Sequence, residues 1–276
     1  MDIGILGPLA VRSTGGEAAP TAPKPRQLLA LLAARAGQVV PVDHLVDELW
    51  ESGPPASAVT TVQTYIVLLR RSLARALQIS AAEVARDVLP FTGWGYRLAA
   101  DPGAVDASVF GRFAELGRRA LLNGENDKAS LMLRRALRIW RGPVLADVRV
   151  GPQLLAHRIS LEENRLSVVE QRVESDLRLG KHHELIGELS GLVVQYPLHE
   201  NLYSLFIISL YRAGRPAQAL EAFRILRKNL REELGIDPSS RVRGLQQAIL
   251  RSDPSLESKS SSGLFLLELG PSGHVA

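Results

Sequence analysis

Thr60, Thr61 and Thr64 are followed at short spacing by Arg70, Arg71 and Arg75. Threonine costs helix propensity, so three threonines within five positions of a helical stretch ask for a reason. A helix that meets double-stranded DNA supplies one. Short polar side chains let it approach base edges, and threonine can both hydrogen-bond and touch a thymine methyl. Arginines on later turns reach phosphates or guanine. A second tip, Thr92-Gly93-Trp94-Gly95 with Arg97 just beyond, adds an aromatic and a cationic group on a turn. Plainer readings stand beside these. The threonines suit a solvated face, Arg70-Arg71 suits a helix end complementing the dipole, and Trp94 suits a packing residue. The order and closeness of the pieces favour the chemical reading.

The elements that must position these residues are legible in the punctuation. Asp2–Leu6 and Leu9–Arg12 read as a short strand pair broken at Gly7-Pro8. A helix starts at Pro25-Arg26, buries Leu28, Leu29, Leu31, Leu32 and Ala36, and stops at Gly37. Val39-Val40-Pro41 reads as a brief extended link, and Val42–Trp50 as a second helix. A third helix starts near Ala56-Ser57, with Ser57 as its N-cap. Val59, Val62, Ile66, Leu69 and Leu73 step by three and four residues and are expected in the core. Residues 88–98 read as a β-hairpin with Gly93 and Gly95 at its tip. Helix, turn, helix, loop, helix, hairpin is the order of a winged helix.

Asp101-Pro102-Gly103 is the expected domain boundary. Beyond it the pattern is helical: Asp106–Leu122, Glu125–Trp140, Pro152–Leu179, His182–Gln195, Leu198–Ala213, Pro216–Leu234 and Ser239–Leu250. Leu179-Gly180-Lys181 and Ala213-Gly214-Arg215 lie 34 residues apart, and Asn123-Gly124-Glu125 echoes them. Paired helices at that period are the tetratricopeptide spacing. The division expected is 1–100, 104–252 and a tail, 253–276, rich in Ser and Gly, in which Leu264–Leu267 is apolar.

Composition excludes several chemistries. Among the 276 residues there is no cysteine, which removes disulfides, zinc thiolates, iron–sulfur clusters and cysteine nucleophiles. No nucleotide-cradling glycine motif, G-x-S-x-G elbow or H-E-x-x-H is present, so no enzyme, metal or cofactor is expected. His182-His183 suits a solvated helix face better than a metal site. No apolar run has the length of a membrane span, and Met1–Val11 lacks the features of a signal peptide. A cytoplasmic, nucleoid-associated address fits. Net charge is only +4, carried by 28 Arg against 5 Lys, and residues 1–100 are nearly neutral. A polyanion must therefore meet a local patch rather than bulk charge.

Residues 24–76 and 94–98 resemble the output domain of OmpR-type response regulators. The resemblance rests on Lys24-Pro25-Arg26-Gln27-Leu28, Asp47-Glu48-Leu49-Trp50, Val62-Gln63-Thr64-Tyr65-Ile66, Leu69-Arg70-Arg71-Ser72-Leu73 and Gly95-Tyr96-Arg97-Leu98. To about residue 252 the chain resembles the Streptomyces antibiotic regulatory proteins. Tyr196-Pro197, Ala213-Gly214-Arg215, Ala219-Leu220 and Leu234–Pro238 look like later landmarks of that family's helical activation domain. The resemblance implies a mainly α fold, a winged helix with short strands followed by a tetratricopeptide-like bacterial transcriptional activation domain. It implies an activator of secondary-metabolite genes that binds direct repeats near the −35 region, as a homodimer on DNA, and recruits RNA polymerase with its sigma factor.

By that resemblance Thr61, Thr64 and Arg70 match recognition-helix positions that face DNA, and Gly93–Arg97 matches the wing; Thr60, Arg71, Arg75 and Lys24 join the expected DNA-facing residues by type and placement, with Trp94 and Arg97 from the wing. The loop from Glu51 to Pro55 matches a polymerase-contacting loop, and Glu48, Glu51, Ser52 and Pro54 are the residues expected to make that contact. One departure is Val67-Leu68, which stands where relatives often carry Ser-Arg. No receiver domain is expected before residue 1 and no nucleotide-binding domain after residue 252, which leaves expression level, oligomerisation or a ligand to set activity. The competing reading is a helical-repeat scaffold that binds protein without specific DNA binding.

Overall fold

The computed structural model describes residues 1–51 and 53–257. It is mainly helical with a few short strands. By packing it divides into two compact units, Met1–Glu115 with Arg135–Leu166, and Leu116–Arg134 with the residues from Ser167 onward.

In the first unit, β1 (Asp2–Gly4), β2 (Ala10–Ser13) and β3 (Gly16–Glu17) form an antiparallel sheet in sequence order. The third strand lies in the segment Ser13–Pro25, whose Gly, Ala and Pro content reads as a loop. The helical trio is α1 (Pro23–Ala34), α2 (Val42–Trp50) and α3 (Ala58–Leu77). Their apolar faces meet around Leu28, Leu29, Leu45, Ile66, Leu69 and Leu73, all fully buried. Burying each such side chain contributes about 1.5–3 kcal/mol.

Two expectations for α3 are corrected here. Val59 is 48% exposed, because the core-facing residue of the first turn is the neighbouring Ala58. Ser57 does occupy the N-cap position, but its side chain makes no capping bond. Its carbonyl instead accepts from Thr61 N at 2.9 Å and Thr61 Oγ1 at 2.9 Å.

After α3, a three-residue helix α4 (Ala81–Glu83) is closed by a reciprocal Ser80–Glu83 capping box. Five residues, Val84–Val88, then adopt wider π-helical turns. Residues 39–41, read from sequence as a link, are a strand. This strand, β4 (Val39–Pro41), pairs antiparallel with β5 (Gly95–Arg97). Gly95 is needed for that pairing, since a Cβ there would sit 2.3 Å from the Val40 carbonyl oxygen.

The first unit extends past the Asp101-Pro102-Gly103 break because three carboxylates tie segments on its two sides together. Asp106 accepts from the Ile5 and Leu6 N–H groups at 2.9 and 3.0 Å. Asp147 accepts from Leu9 N at 2.7 Å and pairs with Arg26. Glu48 binds the start of α7 (Pro152–Arg178).

The second unit is built from helix pairs. It takes residues 116–134 from α5 (Asp106–Leu122) and α6 (Asn126–Leu137), then the later part of α7. It continues with α8 (His182–Gln195), α9 (Glu200–Arg212), α10 (Pro216–Leu234) and α11 (Ser240–Leu250). The repeat seen in sequence is a repeat of turns. Gly124, Gly180 and Gly214 all have φ between +73° and +80°. At each, the glycine N–H bonds three residues back and the next N–H five residues back, as in Glu125 N to Ala120 O, Lys181 N to Asp176 O and Arg215 N to Leu210 O. Those paired bonds satisfy the last carbonyls of the preceding helix, and only glycine adopts that φ without strain.

Candidate nucleic-acid interface

α3 turns about 100° per residue. Ala58, Val62, Ile66, Leu69 and Leu73 take its buried side. Diametrically opposite, Thr60, Thr64, Val67, Arg71 and Arg75 fall within an arc of about 80°, and all five are exposed. Thr61 lies on the flank and is half-buried. Thr64 Oγ1 donates to the Thr60 carbonyl at 2.9 Å, as Thr61 does to Ser57. Such bonding to the preceding turn lets threonine sit in a helix without an unsatisfied hydroxyl proton.

Arg71 and Arg75, one turn apart, form no ion pair with any described carboxylate. Two exposed guanidinium groups without a described carboxylate partner leave this end of the helix face with uncompensated positive charge and free N–H donors. Arg70 does not join them. Its Nε and Nη2 donate to the Leu89 carbonyl at 3.1 and 2.8 Å, and its guanidinium lies 5.7 Å from the Tyr96 ring centroid. Arg70, expected to face DNA, is turned toward the Leu89 carbonyl and the Tyr96 ring instead. It fastens α3 to the segment leading into the wing and acts as a positioning residue.

The wing is the turn from Phe91 to Tyr96. Thr92 N donates to Gly95 O at 2.9 Å, Arg97 N donates to Pro90 O at 3.1 Å, and the Phe91 and Tyr96 rings pack 5.1 Å apart. Gly93 carries the left-handed residue of the turn at φ +89°. Gly95 is buried against β4 rather than lying at the tip. Trp94 does stand out, 60% exposed, and Arg97, three residues on, is exposed too. Trp94 is therefore not a packing residue of the first unit. Lys24 is held differently: its Nζ lies 4.3 Å over the Trp50 ring, a cation–π contact that holds its charge against α2.

The loop after α2 divides the polymerase assignment. Glu51 and Pro54 are exposed, with Glu51 at φ +52° where the helix ends abruptly. Ser52 lies outside the described residues. Glu48 is corrected: it is 1% exposed. Its Oε1 accepts from Gly151 N at 2.5 Å and Gln27 Nε2 at 3.0 Å, and its Oε2 from Gln153 N and Leu154 N, each at 3.0 Å. A carboxylate here satisfies the free N–H groups at the start of α7 and meets the positive end of its dipole. No partner protein can reach it.

Two groups of residues carry more than sequence reasoning assigned. The anchors Asp106, Asp147 and Gln27 act over 21 to 138 residues of sequence, and no local pattern marks them. Val67 and Leu68, each 44% exposed, lie on the outward side of α3. Their signal was present in the sequence, as apolar residues out of phase with the buried stripe. Among the described residues no cluster of three metal-ligating side chains forms, and no helix is long and apolar enough to cross a membrane.

A three-helix unit with an outward threonine–arginine face and an adjoining wing defines the class: a winged-helix DNA-binding protein. Comparison with known proteins agrees. Residues 16–98 match the family described as transcriptional regulatory protein, C terminal, and residues 105–250 match the bacterial transcriptional activator domain. The regulatory protein DnrI of Streptomyces peucetius is 51% identical over 93% of this chain and 94% of its own length. The transcriptional regulator RedD of Streptomyces coelicolor is 36% identical over 93% of this chain and 72% of its own. A solved structure, Mycobacterium tuberculosis EmbR in complex with a low affinity phosphopeptide, superposes with a TM-score of 0.85 at 32% identity, covering 97% of this chain and 70% of that one. The chain belongs to the Streptomyces antibiotic regulatory protein family of DNA-binding transcriptional activators.

Proposed function

We propose that this activator controls genes of secondary-metabolite (antibiotic) biosynthesis. Two protomers bind head-to-tail on direct repeats near the promoter −35 region and recruit RNA polymerase with its sigma factor. The observation that carries the reading is the outward face of α3, where Thr60, Thr64, Arg71 and Arg75 stand exposed and the two arginines have no described carboxylate partner. An α-helix with that face fits the major groove. Exposed Trp94 and Arg97 give the wing an aromatic and a cationic contact for the adjoining backbone or minor groove. Thr61, on the flank, is the lesser contributor. Direct repeats call for a head-to-tail arrangement, whereas a two-fold dimer asks for a palindrome. Exposed Glu51 and Pro54 support the α2–α3 loop as the polymerase contact. The protein acts in the cytoplasm, at the nucleoid.

A genome-wide binding map followed by footprinting tests the reading. It should return promoters of biosynthetic clusters with paired half-sites in tandem. Arg71→Ala and Arg75→Ala should each weaken binding and each lower the slope of log K against log salt by about 0.9, the loss of one phosphate contact. Glu51→Ala should leave the footprint intact while reducing run-off transcription with purified polymerase. A saturated footprint over one half-site would sink the tandem arrangement.

A further inference from the structure

Val67 stands midway along the outward face of α3, one turn from Thr64 and Gln63 on one side and from Arg71 on the other. It is 44% exposed, as is Leu68 beside it. On a face meant only for water, a β-branched apolar residue has no advantage, since it lowers helix propensity and leaves apolar surface hydrated. The threonine hydroxyls sharpen the point. Thr64 Oγ1 directs its hydrogen to the Thr60 carbonyl and Thr61 Oγ1 directs its hydrogen to the Ser57 carbonyl. What each retains for a ligand is a methyl group and oxygen lone pairs. Thr64 and Val67 thus offer a ligand methyl groups and oxygen lone pairs, while side-chain donors lie to either side of them, at exposed Thr60 and Gln63 toward the N-terminal end and at Arg71 and Arg75 toward the C-terminal end.

Base edges in the major groove expose one apolar group, the C5 methyl of thymine. We propose that Val67 is a specificity-determining residue of this chain and reads a thymine methyl in each half-site, with the methyl of Thr64, one turn away, completing the apolar contact. The inference rests on α3 being the DNA-reading helix and adds which base its middle turn selects and by what chemistry. Selection there is by methyl burial rather than by a donor–acceptor pair.

The experiment uses the full chain and duplexes selected by it from a random-sequence pool. Each selected duplex is resynthesised with deoxyuridine replacing one thymidine at a time, which removes the methyl and leaves pairing and hydrogen-bonding groups unchanged. At one thymine per half-site, the replacement should weaken binding about threefold to tenfold, the effect of one buried methyl. Val67→Ala should bind the thymine duplex correspondingly less well and be indifferent to the replacement, within about 1.5-fold. The variant will fold, since the site is exposed and alanine is the better helix former. Its salt slope should match the wild type, because no phosphate contact is lost. Tight, sequence-selective binding that deoxyuridine never weakens would overturn the inference and leave α3 as the reader. A uracil penalty that persists in Val67→Ala would remove Val67 from the role. If no sequence is selected from the pool, the DNA-reading assignment fails first and the inference falls with it.

Discussion

Glu48→Gln removes one carboxylate oxygen from a buried site and changes little in shape. In the native protein each oxygen accepts two N–H donors, Gly151 N with Gln27 Nε2 on Oε1, and Gln153 N with Leu154 N on Oε2. Whichever oxygen becomes NH2, two buried donors lose their acceptor and face another donor. A hydrogen bond to a charged group contributes about 1.5–3 kcal/mol, so the loss of two should be about 3–6 kcal/mol. That is a large share of a total stability of about 5–15 kcal/mol. With a urea m-value of about 3 kcal/mol/M for a unit of this size, the midpoint should fall by roughly 1–2 M. The assay is selective, because all three tryptophans, Trp50, Trp94 and Trp140, lie in the first unit. Their fluorescence against urea follows that unit alone. A midpoint unchanged within about 0.3 M, with activation lost, would refute the reasoning and return Glu48 to a polymerase contact.

Arg70→Ala should lower first-unit stability by about 1–2 kcal/mol through the lost Leu89 bonds and Tyr96 contact, while leaving the salt slope of DNA binding at the wild-type value; a fall in slope would mean that Arg70 meets phosphate after all. Gly95→Ala should cost about 1–3 kcal/mol, since its Cβ would press on the Val40 carbonyl, and hydrogen exchange should then show faster opening of the Val40 and Tyr96 amides. Burial first, and the nearby Arg35 charge second, hold the His157 imidazole below its ordinary value of 6.5. The stability linked to His157 is therefore present above pH 6.5 and is lost as pH falls through the lower folded-state value. Thermal midpoints of wild type should drop more steeply from pH 7 to pH 5 than those of His157→Gln, and parallel curves would exclude His157 as the titrating group.

Elements bounded by local chemistry were legible from the sequence. Asp106–Leu122, Val42–Trp50, His182–Gln195 and Pro216–Leu234 have the limits that proline, glycine and helical spacing mark. β4 was not legible as a strand, because three residues say little until their partner, more than fifty positions on, is known. The same reason hid the reach of the first unit, which depends on single carboxylates bonding to backbone N–H groups far away. In the candidate site, residue type and helical phase correctly put Thr60, Thr64, Arg71 and Arg75 outward. Phase alone could not separate Arg70 from Arg71, adjacent arginines of which one finds a carbonyl on the neighbouring segment. It also could not tell that Glu48, in a helix otherwise carrying outward acids, meets the start of another helix. Val59 failed for a smaller reason: at the first turn, two neighbouring apolar residues competed for one inward position, and the smaller took it.

The carboxylate ties also bear on how this activator can be taken apart and recombined. A fragment ended at residue 100 would keep every residue of α3 and the wing. It would strip Ile5, Leu6 and Leu9 of their acceptors and leave Arg26 without Asp147, and Glu48 would be sealed against nothing. Chimeras that exchange DNA-reading heads between family members at the Pro-Gly break would inherit those mismatches. A graft that carries 1–115 together with 135–166 transfers the whole packed unit, and a narrower exchange of the outward α3 positions alone transfers the reading face without disturbing a single tie.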